Sequence, residues 1–292
     1  MSRFLGVGIA TLDVINTTAE FPDEDQEVRA VSQRLCRGGN VCNTLSVLSQ
    51  LGNASTWCGT LADDNAALVI SDDLRRHNID FSNSRTIEGG HTPTSYITLN
   101  QQSGSRTIVH YRKLPELDFG TFKQLDLAQF SCCHFEGRNV EETRKMILHV
   151  RHLYPAMIIS VEIEKPRADI EQLFSAADIL FFSQGFAQSR NFASADLFLS
   201  HASLGAWRQD TLLVCTWGDQ GAWLIGNEIA LPHHQSAINQ GVAVDTLGAG
   251  DTFIAGFLHR WLLDNNAPQA LEFACELAAK KCRQIGLEGL TQ

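Results

Sequence analysis

Hydrophobic residues fall into two patterns that alternate along this chain. Short continuous apolar runs rich in valine and isoleucine predict buried strands, whereas apolar residues spaced by three and four predict amphipathic helices. In the middle of the chain, strands are predicted at 132–135, 157–163, 179–183 and 211–216, with helices at 141–153, 169–174 and 193–204. Strands separated by helices of this length indicate a parallel sheet built from right-handed crossovers.

Both ends of the chain continue the same alternation. The first strand runs from Phe4 to Ile9 and on to Val14, and two runs separated by a polar turn, 92–99 and 106–111, predict a hairpin. The polar segment 21–34 suits an exposed strand or half of a lid. Further strands are predicted at 54–61, 223–225, 229–231 and 241–245, and further helices at 65–76 and 269–283.

The clearest helical stripe follows a glycine-punctuated turn. Its apolar residues are Phe253, Ile254, Phe257, Leu258, Trp261 and Leu262. Gly248, Ala249 and Gly250 precede it, and such small residues leave the backbone N–H groups of a helix start open to an anion, which the helix dipole also favours. A carboxylate here, Asp251, has a natural role in taking a proton from an attacking hydroxyl group. Capping of the helix is the alternative role.

Four more polar residues are candidates for binding a small ligand. Asn40 and Asn43 lie one helical turn apart, directly after Gly39, and their carboxamides offer donors and acceptors to a polyol; a plain helix cap is the alternative. Asp13 lies at the far end of the first strand. Its carboxylate could accept hydrogen bonds from two neighbouring sugar hydroxyls, and capping of a turn is the alternative. Arg106 in the hairpin suits an anion clamp or a surface ion pair.

Composition narrows the classes of partner. The 292 residues suffice for one large α/β domain, and the formal net charge of −10 argues against nucleic acid or an anionic membrane as partner. The 8 cysteines include no Cys-x-x-Cys pair and are interpreted as reduced core thiols. Neither a signal peptide nor an apolar run of about 18 residues is evident, so the predicted location is cytoplasmic.

Other chemistries find little support in the sequence. Gly6-Val7-Gly8 lacks the third glycine of a dinucleotide fingerprint, and no helix follows it, which argues against a nicotinamide dehydrogenase. There is neither a P-loop motif nor a serine-hydrolase elbow. The histidine pairs 149/152 and 233/234 lack an evident third metal ligand.

Two motifs together resemble the signatures of one enzyme family. Gly38-Gly39-Asn40 with Asn43, and Asp245-Thr-x-Gly-Ala-Gly-Asp251, are similar to the two signatures of the ribokinase-like (PfkB) carbohydrate kinases. Further similarity to its ketohexokinase branch spans nearly the whole chain, at 8–15, 32–43, 103–108, 134–139, 161–167 and 244–253. The resemblance implies a single kinase domain, 1–292, with a three-layer α/β/α ribokinase-like sandwich and a small β-sheet lid formed near 14–36 and 92–112. It also implies a homodimer through that lid.

The resemblance also implies roles for individual residues. Asp13, Gly39, Asn40 and Asn43 would hold sugar hydroxyls, and Arg106 would contact the transferred phosphate or the end of the sugar. Gly248, Ala249 and Gly250 would form the anion hole, with Asp251 as the base. The nucleotide would be bordered by Gly218, Gly221, Gly248, Gly250 and Cys275.

The implied activity is ATP-dependent phosphorylation of a ketose, with fructose converted to fructose 1-phosphate. Ribose, another ketose, a modified sugar or a nucleoside is the alternative acceptor, and a sugar-binding sensor without catalysis is the alternative class. Many family members carry Asn-x-x-Glu after the central strand, where this chain has Ser183-Gln184-Gly185-Phe186. The resemblance therefore assigns no residue to Mg²⁺, which would arrive with ATP.

Overall fold

A computed structural model describes residues 2–202, 207–208, 210–226, 229–238, 241 and 243–291. Most of the predicted strand patterns form strands, but the first strand, predicted from Phe4 to Val14, is divided between two strands that belong to different sheets. The strands are β1 Arg3–Val7, β2 Thr11–Thr18, β3 Ser32–Gly38, β4 Ala54–Cys58, β5 Thr60–Ala62, β6 Ile79–Asp80, β7 Arg85–Ile87, β8 Thr94–Asn100, β9 Arg106–Tyr111, β10 Cys132–Glu136, β11 Ile158–Ile163, β12 Ile179–Phe182, β13 Leu212–Thr216, β14 Ala222–Gly226 and β15 Ile229–Gln235.

The central sheet has nine strands in the order β15-β14-β13-β12-β11-β10-β1-β4-β6. In this spatial order, all neighbouring strands between β13 and β6 pair in parallel. Strands β14 and β15 extend the sheet beyond β13 in antiparallel pairing. The prediction of a parallel sheet is therefore confirmed. Because parallel strands end at one edge, the polar residues that follow β1, β10, β11 and β12 are brought together there.

Helices cover both faces of the central sheet, which confirms the three-layer α/β/α arrangement. They are α1 Asn40–Gln50, α2 Asn65–Arg76, α3 Phe119–Phe122, α4 Val140–Leu153, α5 Gln184–Ser189, α6 Ala195–Ala202, α7 Ala249–Asp264 and α8 Ala267–Cys282. Helices α3 to α6 pack on one hydrophobic core, and α1, α2, α7 and α8 on the other. Alternate residues of β12 supply both cores, since Ile179 and Phe181 face one and Leu180 and Phe182 the other.

A separate four-stranded sheet, called here the small sheet, has the order β3-β2-β8-β9. Its strands pair in register, so that Asp13 lies beside Ser95, which lies beside His110. The next position on each strand points to the opposite face, where Tyr96 is 53% and Val109 66% exposed. The small sheet therefore has one polar face, which lines a cavity, and one exposed apolar face.

Several predicted boundaries are wrong in detail. The helix predicted at 169–174 is a 3₁₀ helix, Ile170–Ala176, and the strand predicted at 54–61 is divided between β4 and β5. At 241–245 the described positions form no strand, and position 242 lies outside the described residues, as do the last two positions of the helix predicted at 193–204. No helix among the residues that the structure describes is long and apolar enough to cross a membrane.

Candidate active site

A cavity of about 530 Å³ lies between the ends of the parallel strands, the small sheet and the start of α7. It contains the predicted residues from all three of these elements. Those that line it are Asp13, Gly39, Asn40, Asn43, Arg106, Gly248, Gly250 and Asp251. Residues from distant parts of the sequence thus meet at one place, as expected for a binding site at the carboxyl ends of strands in an α/β sheet.

The start of α7 has the backbone geometry that its glycines predict. Gly248 precedes the helix with φ of 83°, a left-handed conformation that glycine adopts without steric cost. Gly250 is exposed to the cavity, and a Cβ there would meet nothing within 4 Å. Ala249 differs, because its N–H donates to the carbonyl oxygen of Thr246 at 3.2 Å. The open backbone at this helix start is therefore provided by Gly248 and Gly250.

Asp251 is a buried carboxyl group on the first turn of α7, with only 7% of the residue exposed. Its Oδ2 accepts a hydrogen bond of 2.7 Å from Nδ2 of Asn43, and its backbone oxygen accepts one of 3.3 Å from Oγ1 of Thr44. Burial raises the pKa of Asp251 to about 7, against the opposing effect of the Asn43 hydrogen bond. A carboxyl group with this pKa exchanges protons readily near neutral pH.

Three glutamates on or after β10 and β11 lie near Asp251 and are called here the acidic wall: Glu136, Glu162 and Glu164. Both carboxylate oxygens of Glu136 accept backbone N–H groups, from Val41 at 3.0 Å and Ile9 at 3.2 Å, so Glu136 ties α1 to the sheet. Nδ2 of Asn40 donates to Glu162 at 2.9 Å and to Glu164 at 3.3 Å. Burial and the neighbouring Asp251 raise the pKa of Glu162 well above its usual value.

Asp13 is held on the polar face of the small sheet, 8% exposed. Its Oδ1 accepts a hydrogen bond of 2.8 Å from Oγ1 of Thr11. Burial raises its pKa, although hydrogen bonds from Thr11 and Ser95 and the charges of two nearby arginines oppose the shift. Gly38 makes room for this carboxylate, because a Cβ at Gly38 would lie 2.2 Å from Oδ2 of Asp13.

Gly39 connects the small sheet to α1 through a conformation that excludes other residues. Its φ is 103°, and a Cβ there would lie 2.1 Å from the carbonyl oxygen of Ile9. This close approach places Asn40 and Asn43 at the cavity, at the start of α1. The two glycines of the motif therefore serve different purposes, Gly38 for the carboxylate of Asp13 and Gly39 for the backbone turn.

Two arginines of the small sheet contact the turn before α7. Nη1 of Arg106 donates to Oγ1 of Thr246 at 3.0 Å, and Nη2 of Arg34 donates to Oδ2 of Asp245 at 3.0 Å. Asp245 is 2% exposed and also lies near the buried ammonium group of Lys281, which donates to its backbone oxygen at 2.8 Å. The small sheet and the turn before α7 are thus joined through adjacent residues, Asp245 and Thr246.

The remaining predicted nucleotide residues lie outside the lining of this cavity. Gly221, with φ of 97°, lies beside the end of β15, where a Cβ would be 2.1 Å from the carbonyl oxygen of Gln235. The Sγ atom of Cys275 lies 4.0 Å from the same oxygen. Gly218 lies beside the start of α5, where a Cβ would be 3.6 Å from Oε1 of Gln184. Their role beside the nucleotide stays a prediction.

The segment in place of Asn-x-x-Glu has a structural use. Oγ of Ser183 caps α5, because it accepts a hydrogen bond from the N–H of Phe186 at 3.0 Å. The same hydroxyl group donates to the carbonyl oxygen of Glu164 at 2.7 Å. Among the residues that the structure describes, the one cluster of three metal-type donors is Asp73, His77 and Glu288, away from the cavity lining. Asp73 there is paired with arginine, which disfavours a second cation.

Sequence reasoning missed several residues that line or support the site. Glu162 lies within a buried strand and is masked by its apolar neighbours, although polar groups near strand ends are a usable signal. Arg37 directly precedes the glycine motif but carries no sequence signal of its own. Others that line the cavity are Thr11, Ser95, His110, Arg112, Arg138, Lys165 and Arg167.

The fold and the cavity define the class of small-molecule kinases, in which a hydroxyl group is phosphorylated at a helix start. The chain belongs to the pfkB family: the model of the pfkB family carbohydrate kinases matches residues 1–291. Ketohexokinase of Mus musculus is 37% identical over 295 residues, covering 99% of this chain and 98% of that protein. The protein is therefore an ATP-dependent sugar kinase.

Solved structures agree on the fold. Ribokinase from Giardia lamblia has a TM-score of 0.86 at 17% identity, covering 100% of this chain and 96% of that one. Ribokinase of Arabidopsis thaliana, solved with ribose and ATP, has a TM-score of 0.77 at 18% identity, covering 98% of this chain and 94% of that chain. Ribokinase of Thermotoga maritima has a TM-score of 0.76 at 17% identity, covering 99% of this chain and 96% of that chain.

Proposed function

We propose that the protein phosphorylates the 1-hydroxyl group of fructose, or of a closely similar ketose, with ATP as the donor. The observation that carries this proposal is the buried Asp251 carboxyl group, which lies at the start of α7 and 2.7 Å from Asn43 in a polar cavity. The 37% identity to the mouse ketohexokinase over nearly the full length supports a ketose as acceptor.

In the proposed reaction the acceptor lies between the small sheet and α7. The carboxylate of Asp13 and the carboxamides of Asn40 and Asn43 bind sugar hydroxyl groups. Asp251 takes the proton of the reacting hydroxyl, whose oxygen then bonds to the γ-phosphorus while the bond to the β,γ-bridging oxygen breaks and ADP leaves. The small sheet covers the cavity as a lid and excludes water as a competing acceptor.

The donor enters as Mg·ATP, with the γ-phosphoryl group at the start of α7. The open backbone at Gly248 and Gly250 and the helix dipole stabilise the negative charge of the transferred group. Arg106 lines the same cavity and adds a positive charge from the lid. Gly218, Gly221 and Cys275 are proposed to border the rest of the nucleotide.

A coupled assay of ADP release tests this function directly. Purified protein is given Mg·ATP and, separately, fructose, tagatose, ribose, fructose 6-phosphate and adenosine. Rapid release with fructose, and detection of fructose 1-phosphate by NMR, is the expected result. Release with ribose or adenosine alone would assign a different acceptor, and release with none of them would favour a sugar-binding sensor over an enzyme for these acceptors.

The pH dependence of the reaction follows from the raised pKa of Asp251. A general base must be ionised to accept a proton, so activity is lost as the pH falls through the pKa and is regained above it. With a pKa of about 7, kcat/KM for the acceptor should rise between pH 6 and pH 8 and then level off. A flat profile over this range would contradict the assignment of Asp251 as the base.

We also propose a homodimer formed through the outer face of the lid. A row of apolar residues crosses all four strands there, because Val14 pairs with Leu35 and Tyr96, and Tyr96 pairs with Val109. Leu35, Tyr96 and Val109 are each more than half exposed in a single chain. A contiguous apolar patch of this kind is typical of an interface. The cytoplasmic location stays a prediction.

Replacing the most exposed residue of this row should break the dimer. Val109→Asp places a charge on the apolar face, which a second copy of the chain would have to desolvate. Sedimentation velocity should then show a monomer where the unaltered protein is a dimer. The control is Leu68→Asp on α2, a residue with 59% exposure outside the small sheet. A dimer that persists in Val109→Asp would place the interface elsewhere.

A further inference from the structure

Arg37, the last but one residue of β3, is buried behind the cavity and is absent from its lining. Only 2% of its side chain is exposed, yet its guanidinium group has three different partners. Nε donates to Oδ1 of Asp73 at 2.5 Å, Nη2 to Oγ of Ser46 at 2.7 Å, and Nη1 to Oδ1 of Asn43 at 2.9 Å. A buried guanidinium group that donates from all three of its nitrogens is held in one orientation.

The contact between Arg37 and Asn43 decides which end of the carboxamide faces the base. Oδ1 of Asn43 accepts from Arg37, so Nδ2 is the atom that points to Asp251. The reversed carboxamide would place Oδ1 against a carboxylate and its NH₂ group against a guanidinium group, two repulsive contacts. A donor from Arg37 therefore excludes the reversed orientation.

We propose that Arg37 is a positioning residue for Asp251, which it orients through the carboxamide of Asn43. The proposal rests on the proposed function, in which Asp251 is the catalytic base. Arg37 itself does not touch the reacting atoms. It acts by keeping the hydrogen bond from Asn43 to Asp251 in place and by adding positive charge behind an otherwise acidic wall.

The charged groups that face Asp251 come from several elements packed around α7. Burial is the largest cause of its raised pKa, and the charges of two glutamates add to it, whereas the Asn43 hydrogen bond and the Arg37 charge lower it. Burial and then the charge of Asp251 raise the pKa of Glu162 in turn. The groups are Glu136 at the end of β10, Glu162 and Glu164 on and after β11, and Arg37 on β3.

Asp73 anchors Arg37 from the far side. Burial alone would raise the pKa of Asp73, but hydrogen bonds from His77 and Arg37 and their charges lower it to about 2. Asp73 is therefore ionised at neutral pH, and its negative charge holds the guanidinium group between α2 and α1. This fixed anchor explains how a side chain outside the cavity can keep Asn43 in one orientation.

The test measures the Asp251 carboxyl group itself as well as activity. The protein is labelled with ¹³C-aspartate, the Asp251 signal is identified by its loss in Asp251→Asn, and its pKa is measured by NMR titration. In Arg37→Met the pKa should rise by ~0.5–1 unit, because a favourable charge and an oriented hydrogen bond are both lost. The midpoint of the kcat/KM profile should move with it, and kcat/KM at pH 7 should fall about two- to five-fold, because less of the Asp251 carboxyl group is then ionised.

Arg151→Met is the matched control, because Arg151 also forms a part-buried ion pair, at 2.6 Å with Asp178, but on the opposite side of the sheet. It should leave the Asp251 titration and the pH profile unchanged. Arg37→Met removes one partner of Asp73, which keeps Arg76 at 3.5 Å and His77 at 3.3 Å. The double variant Arg37→Met/Asp73→Leu replaces both charges by apolar groups and serves as the second test if the single variant does not fold.

The outcomes separate this inference from the proposed function. An unchanged pKa of Asp251 in the folded Arg37 variants would overturn the positioning role, whatever the activity. A raised pKa in protein that phosphorylates none of the sugars would support the positioning role and contradict the proposed function. Equal shifts in Arg37→Met and Arg151→Met would show a general effect of lost ion pairs and would also overturn the inference.

Discussion

Asp251→Asn is expected to lower kcat by ~10²–10⁴, the contribution that a general base makes to a proton transfer. The amide cannot accept the proton of the sugar hydroxyl, yet it has nearly the same shape as the carboxyl group and still offers an oxygen to Nδ2 of Asn43. Binding should therefore change less than turnover. The measurement is kcat at saturating Mg·ATP and acceptor, with dissociation constants for both ligands determined separately.

Asp264→Asn provides the comparison on the same helix. Asp264 lies at the last residue of α7 and pairs with Arg260 at 2.7 Å on the surface, so its substitution makes the same chemical change away from the cavity. It should keep nearly full activity. Full activity of a folded Asp251→Asn protein would remove Asp251 as the base, and with it the mechanism.

Asp13→Ala should produce the second largest loss of activity, and the loss should appear in the kinetic constants for the acceptor. A carboxylate that binds two sugar hydroxyls makes hydrogen bonds worth about 1.5–3 kcal/mol each, so kcat/KM for the acceptor should fall by ~10²-fold or more. The KM for ATP should change little, because Asp13 belongs to the small sheet, whereas the open backbone proposed to bind the γ-phosphoryl group belongs to the start of α7. Steady-state kinetics with each substrate varied in turn separate these effects.

Gly38→Ala tests the same interaction without removing the carboxylate. Its added methyl group would lie 2.2 Å from Oδ2 of Asp13, so the carboxylate must move. The acceptor KM should rise in the same direction as in Asp13→Ala, by a smaller factor. A loss of ATP affinity at an unchanged acceptor KM in both variants would contradict a sugar-binding role for Asp13.

The sequence was sufficient for the alternating architecture and for the principal residues of the cavity. Asn43 and Asp251 are separated by 208 positions, yet the structure joins them at 2.7 Å. They were predictable because each lies in a local pattern with its own physical meaning, glycines before a helix start and a polar side chain in its first turn. The parallel order of the strands then brings such helix starts to one edge.

Other parts of the site depend on tertiary contacts that leave no local pattern. Arg37 on β3 bonds to Asp73 on α2, and Glu136 binds N–H groups from two separate segments. Gly38 needs its lack of a side chain only because Asp13 approaches from a neighbouring strand. The predicted strand at 241–245 failed for a similar reason, since the N–H groups of Val244 and Asp245 donate to Cys282 at the end of α8 instead of to a strand.

The small sheet constrains how this protein can change in length. Asp13 and Ser95 face the cavity, whereas the next residues, Val14 and Tyr96, face outward. One residue inserted within β2 or β8 would exchange the two faces along the rest of that strand and place apolar groups in the cavity. Evolutionary insertions and deletions in this sheet should therefore occur in its turns, such as 101–105. Specificity for the ligand of the cavity should change by substitution, with the strands kept at the same length.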